Sequence, residues 1–253
     1  MTSTIYDKLQ VQLHCDRAAM GAAAAKMVAS AIERACARRG TARVIFACAP
    51  SQNEFLATLV QEPVNWSAVT IFHMDEYVGL PMSDPGSFRH FLSEHLLARV
   101  GKPRAVHLIG GDSDPESECK RYASLLGEAP IDLVCLGIGE NGHLAFNDPP
   151  VADFDDARLV KVVELDHACR QQQVNDGCFP SLEVVPPHAI TLTIPALVST
   201  GEVSCVVPGT RKASAVRDSL LGPIGTSCPA SILRRHVNAV IHLDMDSAAL
   251  LPT

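Results

Sequence analysis

The chain lacks any uninterrupted apolar run near the roughly 18 residues that a membrane-spanning helix needs, so no membrane anchor is expected. It also lacks an excess of positive charge. Twenty-one Lys and Arg stand against 28 Asp and Glu, a net charge of −7. Broad electrostatic capture of nucleic acid or of an anionic membrane is therefore not expected, while a small local anion site stays open. The opening Met1–Lys8 has no basic segment feeding an apolar stretch, so no secretory leader is expected. No CxxC pair occurs. The nine cysteines, from Cys15 to Cys228, are odd in number and scattered. That sets aside a disulfide framework and a zinc ribbon, and points to buried thiols in a reducing cytoplasm. Internal repeats, low-complexity tracts, HxH and HExxH ligand patterns and a GxSxG nucleophile elbow are missing as well.

What is present is enough for a large core. The 253 residues are 47% apolar and 19% charged, and no long linker divides them, so one domain over residues 1–253 is expected. From Asp16 to Arg39 apolar residues recur at helical spacing, and Arg38-Arg39-Gly40 supplies the cations and glycine of a helix end. Apolar runs then alternate with helical stretches. Strands are expected over 43–48, 69–73, 131–137, 189–194, 203–207 and 239–243, and helices from Ser51 (as a cap) to Gln61 and over 87–100, 115–126 and 212–221. The pattern predicts a three-layer α/β/α fold with a mainly parallel sheet, Rossmann-like in its winding. Ligands of such sheets bind beyond the carboxyl ends of the strands, so the residues just after each strand are the candidates.

Gly137-Ile138-Gly139-Glu140-Asn141-Gly142-His143 matches GxGxxG formally, but Pro149 and Pro150 oppose the helix that a dinucleotide site requires. The glycines instead supply a tight turn that presents His143 and Asp148. Asp75 follows the 69–73 strand, where a carboxylate is costly unless it is paired or used. Asp75, His143 and Asp148 together suit proton shuttling. His73, beside Asp75, reads more readily as a structural histidine. Gly209-Thr210-Arg211-Lys212, opening a helix, is a plausible anion site. A phosphorylated small molecule fits both features.

Two segments, Phe72-His73-Met74-Asp75-Glu76-Tyr77-Val78-Gly79-Leu80 and Gly137 through Pro149, resemble the signatures of glucosamine-6-phosphate deaminases. The resemblance continues through Val185–His188 and Gly209–Lys212, and loosely to Cys228–Ser231. It implies a modified Rossmann-like fold and a reaction without metal or other cofactor, in which an amino-sugar phosphate is isomerised and deaminated. On it, Asp75 is the base between C2 and C1, His143 aids ring opening, and Asp148 and Asn141 support His143. Glu76, Gly139, Gly142, Ser51, Arg170 and Lys212 are expected to bind substrate. Asn141 stands where the family has aspartate, and Asp148 where it has glutamate, so Asp148 should need a backbone shift or a water to reach His143. Ala47-Cys48-Ala49-Pro50-Ser51 departs from the family's hydroxyl-rich phosphate loop, and Ser51, Arg158 and Arg211 are the candidates to compensate. Val151-Ala152 replaces a serine pair used for allosteric activation. A 6-phosphogluconolactonase resembles the chain less well, since lactonases tend to carry arginine where Tyr77 stands. A non-catalytic sugar-phosphate binder is the rival from another class. A homo-oligomer is compatible with the sequence.

Overall fold

The computed structural model describes residues 2–252. The chain opens with β1 (Thr2–Tyr6) and β2 (Leu9–Leu13), then runs through α1 (Arg17–Arg39), β3 (Ala42–Phe46), α2 (Asn53–Leu59), β4 (Val69–His73) and β5 (Asp75–Tyr77). Next come α3 (Phe88–Leu92), β6 (Ala105–His107), α4 (Pro115–Gly127), β7 (Leu133–Leu136), β8 (Val160–Glu164) and α5 (His167–Asn175). β9 (His188–Leu192), α6 (Ile194–Val198), β10 (Glu202–Val207), α7 (Ala213–Leu221) and β11 (Ala239–Leu243) follow. None of these helices is long and apolar enough to cross a membrane, among the described residues.

Among the described residues, eight strands form one sheet in the order β1-β2-β11-β10-β7-β3-β4-β6, with only β1 antiparallel to its neighbour. Residues along each central strand alternate between two cores. Val44 and Phe46 of β3 pack with Val28 and Ile32 of α1 and Leu56 of α2. Ile45 packs on the other face with Tyr122 of α4 and Val216 of α7. The three-layer arrangement follows directly from this double burial. α1 has the ends its sequence calls for: the Asp16 side chain accepts from Ala19 N at 2.7 Å, and Gly40 closes the helix at φ 76°.

After β3 the chain steps outward through β4 and β6. It then returns to the other side of β3 with β7, and continues away through β10 and β11. The direction of winding therefore reverses between β3 and β7. A crevice opens at their carboxyl ends, where loops from adjacent strands depart to opposite sides.

Two expectations need correction. The 189–194 segment does not join the parallel sheet. As β9 it lies between β5 and β8 in a separate antiparallel sheet. Only Met74 separates β4 from β5, so the chain turns off the main sheet at the edge of the crevice and recruits β9 there. Ser51 does not cap a helix. It lies within a 3₁₀ turn over Pro50–Gln52 that leads into α2 without a side-chain cap.

Candidate active site

The crevice at the β3/β7 junction is an open cleft at the carboxyl ends of these strands. Its walls come from the Ala47–Ser51 loop, the Met74-Asp75 turn, the Gly137–Phe146 loop and the far side of α5. Lys212 closes one end, where a second recess is lined by Ser51, Gly209, Thr210 and Arg211. Asp75, His143, Lys212, Ser51 and Gly139 therefore meet at one cavity, as the sequence suggests.

Asp75 is 6% exposed, and no hydrogen bond from a described residue offsets its burial. Desolvation, and then the neighbouring Glu76, push its carboxyl well above the usual range. A buried carboxylate without a partner is unstable unless a ligand completes it.

His143 lies on the opposite wall. Its Nδ1 is 2.8 Å from Asn141 Oδ1 and 3.0 Å from Asp148 Oδ1, and Asn141 Nδ2 donates to Asp148 at 2.7 Å. The expected gap between Asp148 and the imidazole does not exist, and contact is direct. Burial alone would raise the Asp148 carboxyl. The His143 charge and hydrogen bonds from His143, Asn141 and the Cys169 thiol bring it to about 2 instead. With both neighbours of Nδ1 accepting, Nε2 is the nitrogen left to serve the cleft.

The loop's backbone explains two of its glycines. A Cβ on Gly139 would lie 2.2–2.3 Å from the imidazole, so the ring rests flat on a bare Cα. Gly142 has φ 83°, and a Cβ there would also strike Cys228 Sγ at 2.5 Å. Both glycines shape the loop rather than offer a side chain. Ala145 sits at φ 49° in the same wall, a conformation that costs an L-residue roughly 1–2 kcal/mol. Asn147 pins that turn by donating to Leu144 O and Leu192 O at 2.9 and 2.8 Å.

Lys212 is 8% exposed and has no carboxylate partner among the described residues. Burial lowers its pKa, although the more distant Asp176 and Glu140 oppose that shift. Those two acids are engaged by Arg211, at 2.9 Å to Asp176 and 3.5 Å to Glu140. The ammonium of Lys212 is thereby left for an anionic ligand. Gly209, at φ 89°, donates its N–H to both oxygens of buried Asp244, which anchors the loop carrying Thr210–Lys212.

Two sequence-predicted contacts fall elsewhere. Glu76 is 0% exposed and lies away from the cleft. Its Oε1 accepts from Tyr77 N and Phe88 N, and its Oε2 from Ser87 Oγ, Arg89 N and Arg89 Nε, at 2.7–3.2 Å. It caps the start of α3 and neutralises a buried arginine, with no lone pair turned to a ligand. Arg170 donates to Leu182 O at 2.6 Å and does not line the cleft, because α5 turns that face toward the segment after it. Gln172, Gln173, Asp176 and Cys178, which the sequence reading passed over, form that wall instead. Arg158 is taken up bidentately by Asp156. His73 is fully buried, accepts from Ile109 N at 2.7 Å through Nε2, and is held neutral by burial and by Arg89, with a pKa of about 3. It is structural. No group of three or more His, Cys, Asp or Glu among the described residues is arranged to hold a metal ion.

The family described as glucosamine-6-phosphate isomerases/6-phosphogluconolactonase matches residues 15–242. The chain belongs to this family. A glucosamine-6-phosphate deaminase of Exiguobacterium sibiricum is 38% identical over 191 residues, 76% of this chain and 74% of that one. Another from Listeria monocytogenes serotype 4a is 36% identical over 195 residues, 77% and 81% of the two chains. Among solved structures, a monomeric glucosamine-6-phosphate deaminase superposes with a TM-score of 0.86 at 30% identity, covering 95% of this chain and 99% of that one. A 6-phosphogluconolactonase from Thermotoga maritima reaches 0.76 at 20% identity, covering 94% and 100%, and shares the fold. Within the family, the resemblance read from the two signature segments is thus borne out.

Proposed function

We propose that the protein converts glucosamine 6-phosphate and water into fructose 6-phosphate and ammonia. The observation that carries this reading is the unpartnered, buried Asp75 carboxylate facing the same cleft as His143 and the free Lys212 ammonium. In this reading the phosphate sits at the Lys212 end, beside the Ser51 hydroxyl. That assignment replaces the missing hydroxyls of the Ala47–Ser51 loop with a cation held ready.

The chemistry then follows from the groups in reach. His143 Nε2 takes the proton of the anomeric hydroxyl and returns one to the ring oxygen, which opens the pyranose. Asp75 removes the C2 proton of the open aldose while the ammonium at C2 gives one proton to the C1 oxygen, leaving a C1–C2 enol that carries a neutral amine at C2. Returning that proton to C1 gives the C2 iminium of the ketose. Water adds to C2, and the C–N bond breaks to release ammonia. A carboxyl whose pKa is raised by burial is a stronger base toward a carbon acid than an exposed one. A cationic amine at C2 would also supply the charge that Asp75 lacks.

Lactone hydrolysis needs no base at C2, so it would leave Asp75 without a task. We place the protein in the cytoplasm, on the support of nine unpaired thiols, most of them buried. The test is incubation of purified protein with glucosamine 6-phosphate, measuring ammonia and fructose 6-phosphate together. Equal release of both is expected. Hydrolysis of 6-phosphogluconolactone without release of ammonia from the amino sugar would overturn the reading.

A further inference from the structure

α5 and the turn after it line one wall of the cleft, and the inward residues are spent in order along it. At one end the Cys169 thiol donates to the Asp148 carboxylate, which touches His143 Nδ1 at 3.0 Å. At the other, Asp176 is held by Arg211 at 2.9 Å, and both border the recess that contains Lys212. Asp176 follows Cys169 by seven residues, about 10.5 Å along a helix axis. Seven bonds also join C1 of a hexose to the phosphorus of its 6-phosphate, and an extended chain advances about 1.2 Å per bond, or about 8.5 Å in all. The wall therefore spans a sugar phosphate from its reacting end to its anionic end. Its middle, Gln172 and Gln173, faces the middle carbons.

The two glutamines differ. Gln172 Oε1 accepts from Glu140 N at 2.8 Å, a nitrogen that can only donate, so the orientation of this amide is fixed. Its Nε2 then points to Asp176 Oδ2 at 3.4 Å. Gln173 is 6% exposed and lines the cleft, yet its amide has no hydrogen-bond partner among the described residues. Its backbone carbonyl accepts from Cys178 N at 3.0 Å, so the turn after α5 holds the residue in place. The other polar side chains of the cleft have tasks or partners: Asp75 and His143 at the reacting end, Ser51 and Lys212 at the anion, Gln172 and Asp176 with each other. An amide buried to this extent without a partner is costly unless a ligand completes it.

We propose that Gln173 determines specificity by reading the C4 hydroxyl of the sugar, favouring the gluco over the galacto arrangement, an assignment that rests on the deaminase reading above. Of the middle oxygens, the one on C5 closes the ring and belongs with His143, and the one on C3 adjoins the reacting carbon. The C4 hydroxyl is the one left to the wall. Much of the remaining lining, Ala47, Ala49, Ile138, Ala145 and Phe146, has no side-chain donor or acceptor. A hydroxyl brought against it loses water and gains nothing, whereas an amide both donates and accepts. With C4 inverted the hydroxyl turns away, and it and the amide are both left unpaired. Gln173 does not touch the bonds that change, so its role is selection rather than proton transfer.

The test compares the parent protein with Gln173→Leu and Gln173→Met on three substrates: glucosamine 6-phosphate, its C4 epimer galactosamine 6-phosphate, and the 4-deoxy analogue. The parent should favour glucosamine 6-phosphate over the other two by about tenfold or more in kcat/KM. Either variant should lose about tenfold on glucosamine 6-phosphate and less than about threefold on the other two, so that the preference collapses. Equal losses on all three would mark a structural residue and overturn the proposal, as would a parent indifferent to C4. A second measurement needs no turnover. Calorimetry with glucitol 6-phosphate and galactitol 6-phosphate, open chains that differ only at C4, should show about a tenfold preference in the parent and almost none in the variants. The same ratio in parent and variants would overturn the proposal while leaving the deaminase reading intact. If the parent fails to turn over glucosamine 6-phosphate, that reading falls, and the calorimetric ratio still decides what Gln173 reads.

Discussion

Asp75 and Glu76 are adjacent on β5, point to opposite faces of it, and are both buried. Glu76 accepts five hydrogen bonds, one of them from an arginine side chain, while Asp75 accepts none from the described residues. A partial parallel runs between Arg170, whose guanidinium donates to a backbone carbonyl although its buried Nε has no partner, and Lys212, whose ammonium is left unpaired at the cleft. In the first pair the residue type is nearly the same and both side chains are buried. What separates structural from functional is whether the fold has already satisfied the group. A saturated carboxylate stabilises the protein. An unsatisfied one costs stability and is poised for a ligand.

Substitutions at these four positions would break the contrast or sharpen it. The largest effect is expected for Asp75→Asn, with kcat falling about 10³-fold, or about 4 kcal/mol of barrier, in the coupled ammonia and fructose 6-phosphate assay. Loss of less than tenfold would remove Asp75 from the base role. Glu76→Gln comes next, and its effect is on folding. It places an NH₂ among N–H donors and strips buried Arg89 of one of its two acids, at a cost of about 3 kcal/mol in denaturant titration. The folded fraction should keep its KM, and a raised KM would return Glu76 to the substrate.

Lys212→Met should raise KM for the sugar phosphate about 100-fold, by the value of a charge-assisted phosphate contact, while Arg170→Met should change KM less than about twofold. Equal effects would dissolve the second half of the contrast. The smallest effect carries the clearest sign. The Asp75 pKa is raised in the folded state, so above its ordinary 3.8 the unfolded chain gains more from ionisation, and folding is penalised. Asp75→Asn should therefore raise Tm at neutral pH, with the difference closing as pH falls below 3.8. Asp148 is opposite in sign. With a folded pKa of about 2, its contribution is present above 3.8 and lost as pH falls toward 2, so the cost of Asp148→Asn should vanish there.

Much of this was legible in the residues. The central strands β3, β4, β7, β10 and β11 are short apolar runs because helices cover both sheet faces, and α1 announces its ends with Asp16 and Gly40. Asp75 and His143 could be picked out because the winding rule points to the residues after strands, and Asp148 came with the His143 turn. The rest depends on partners that spacing does not reveal. β8 reads Val-Lys-Val-Val-Glu, and its Lys161 is buried only because Asp156 and Val151 O meet it. β2, Leu-Gln-Val-Gln-Leu, does carry strand alternation and was open to being read. β9 is as apolar as a central strand, so its place in the small sheet was hidden. Glu76 looked like a site residue because Ser87 and Arg89, which consume it, lie 11 and 13 residues away. The Gln172–Cys178 wall gave no signal, since α5 is polar and has no clear apolar stripe.

The placement of β11 bears on the order in which the molecule can be assembled. Among the described residues β2 pairs with β1 and β11, and its register joins Gln10 to Val240, so segments more than 200 residues apart must meet. Until the last strand emerges, the N-terminal hairpin has no place in the sheet. β3, β4 and β7 are already adjacent by then, and with them the walls bearing Asp75 and His143. The loop carrying Lys212 waits longer, because its anchor, Asp244, immediately follows β11. During synthesis the acid–base half of the cleft is thus in place before the half that holds the anion.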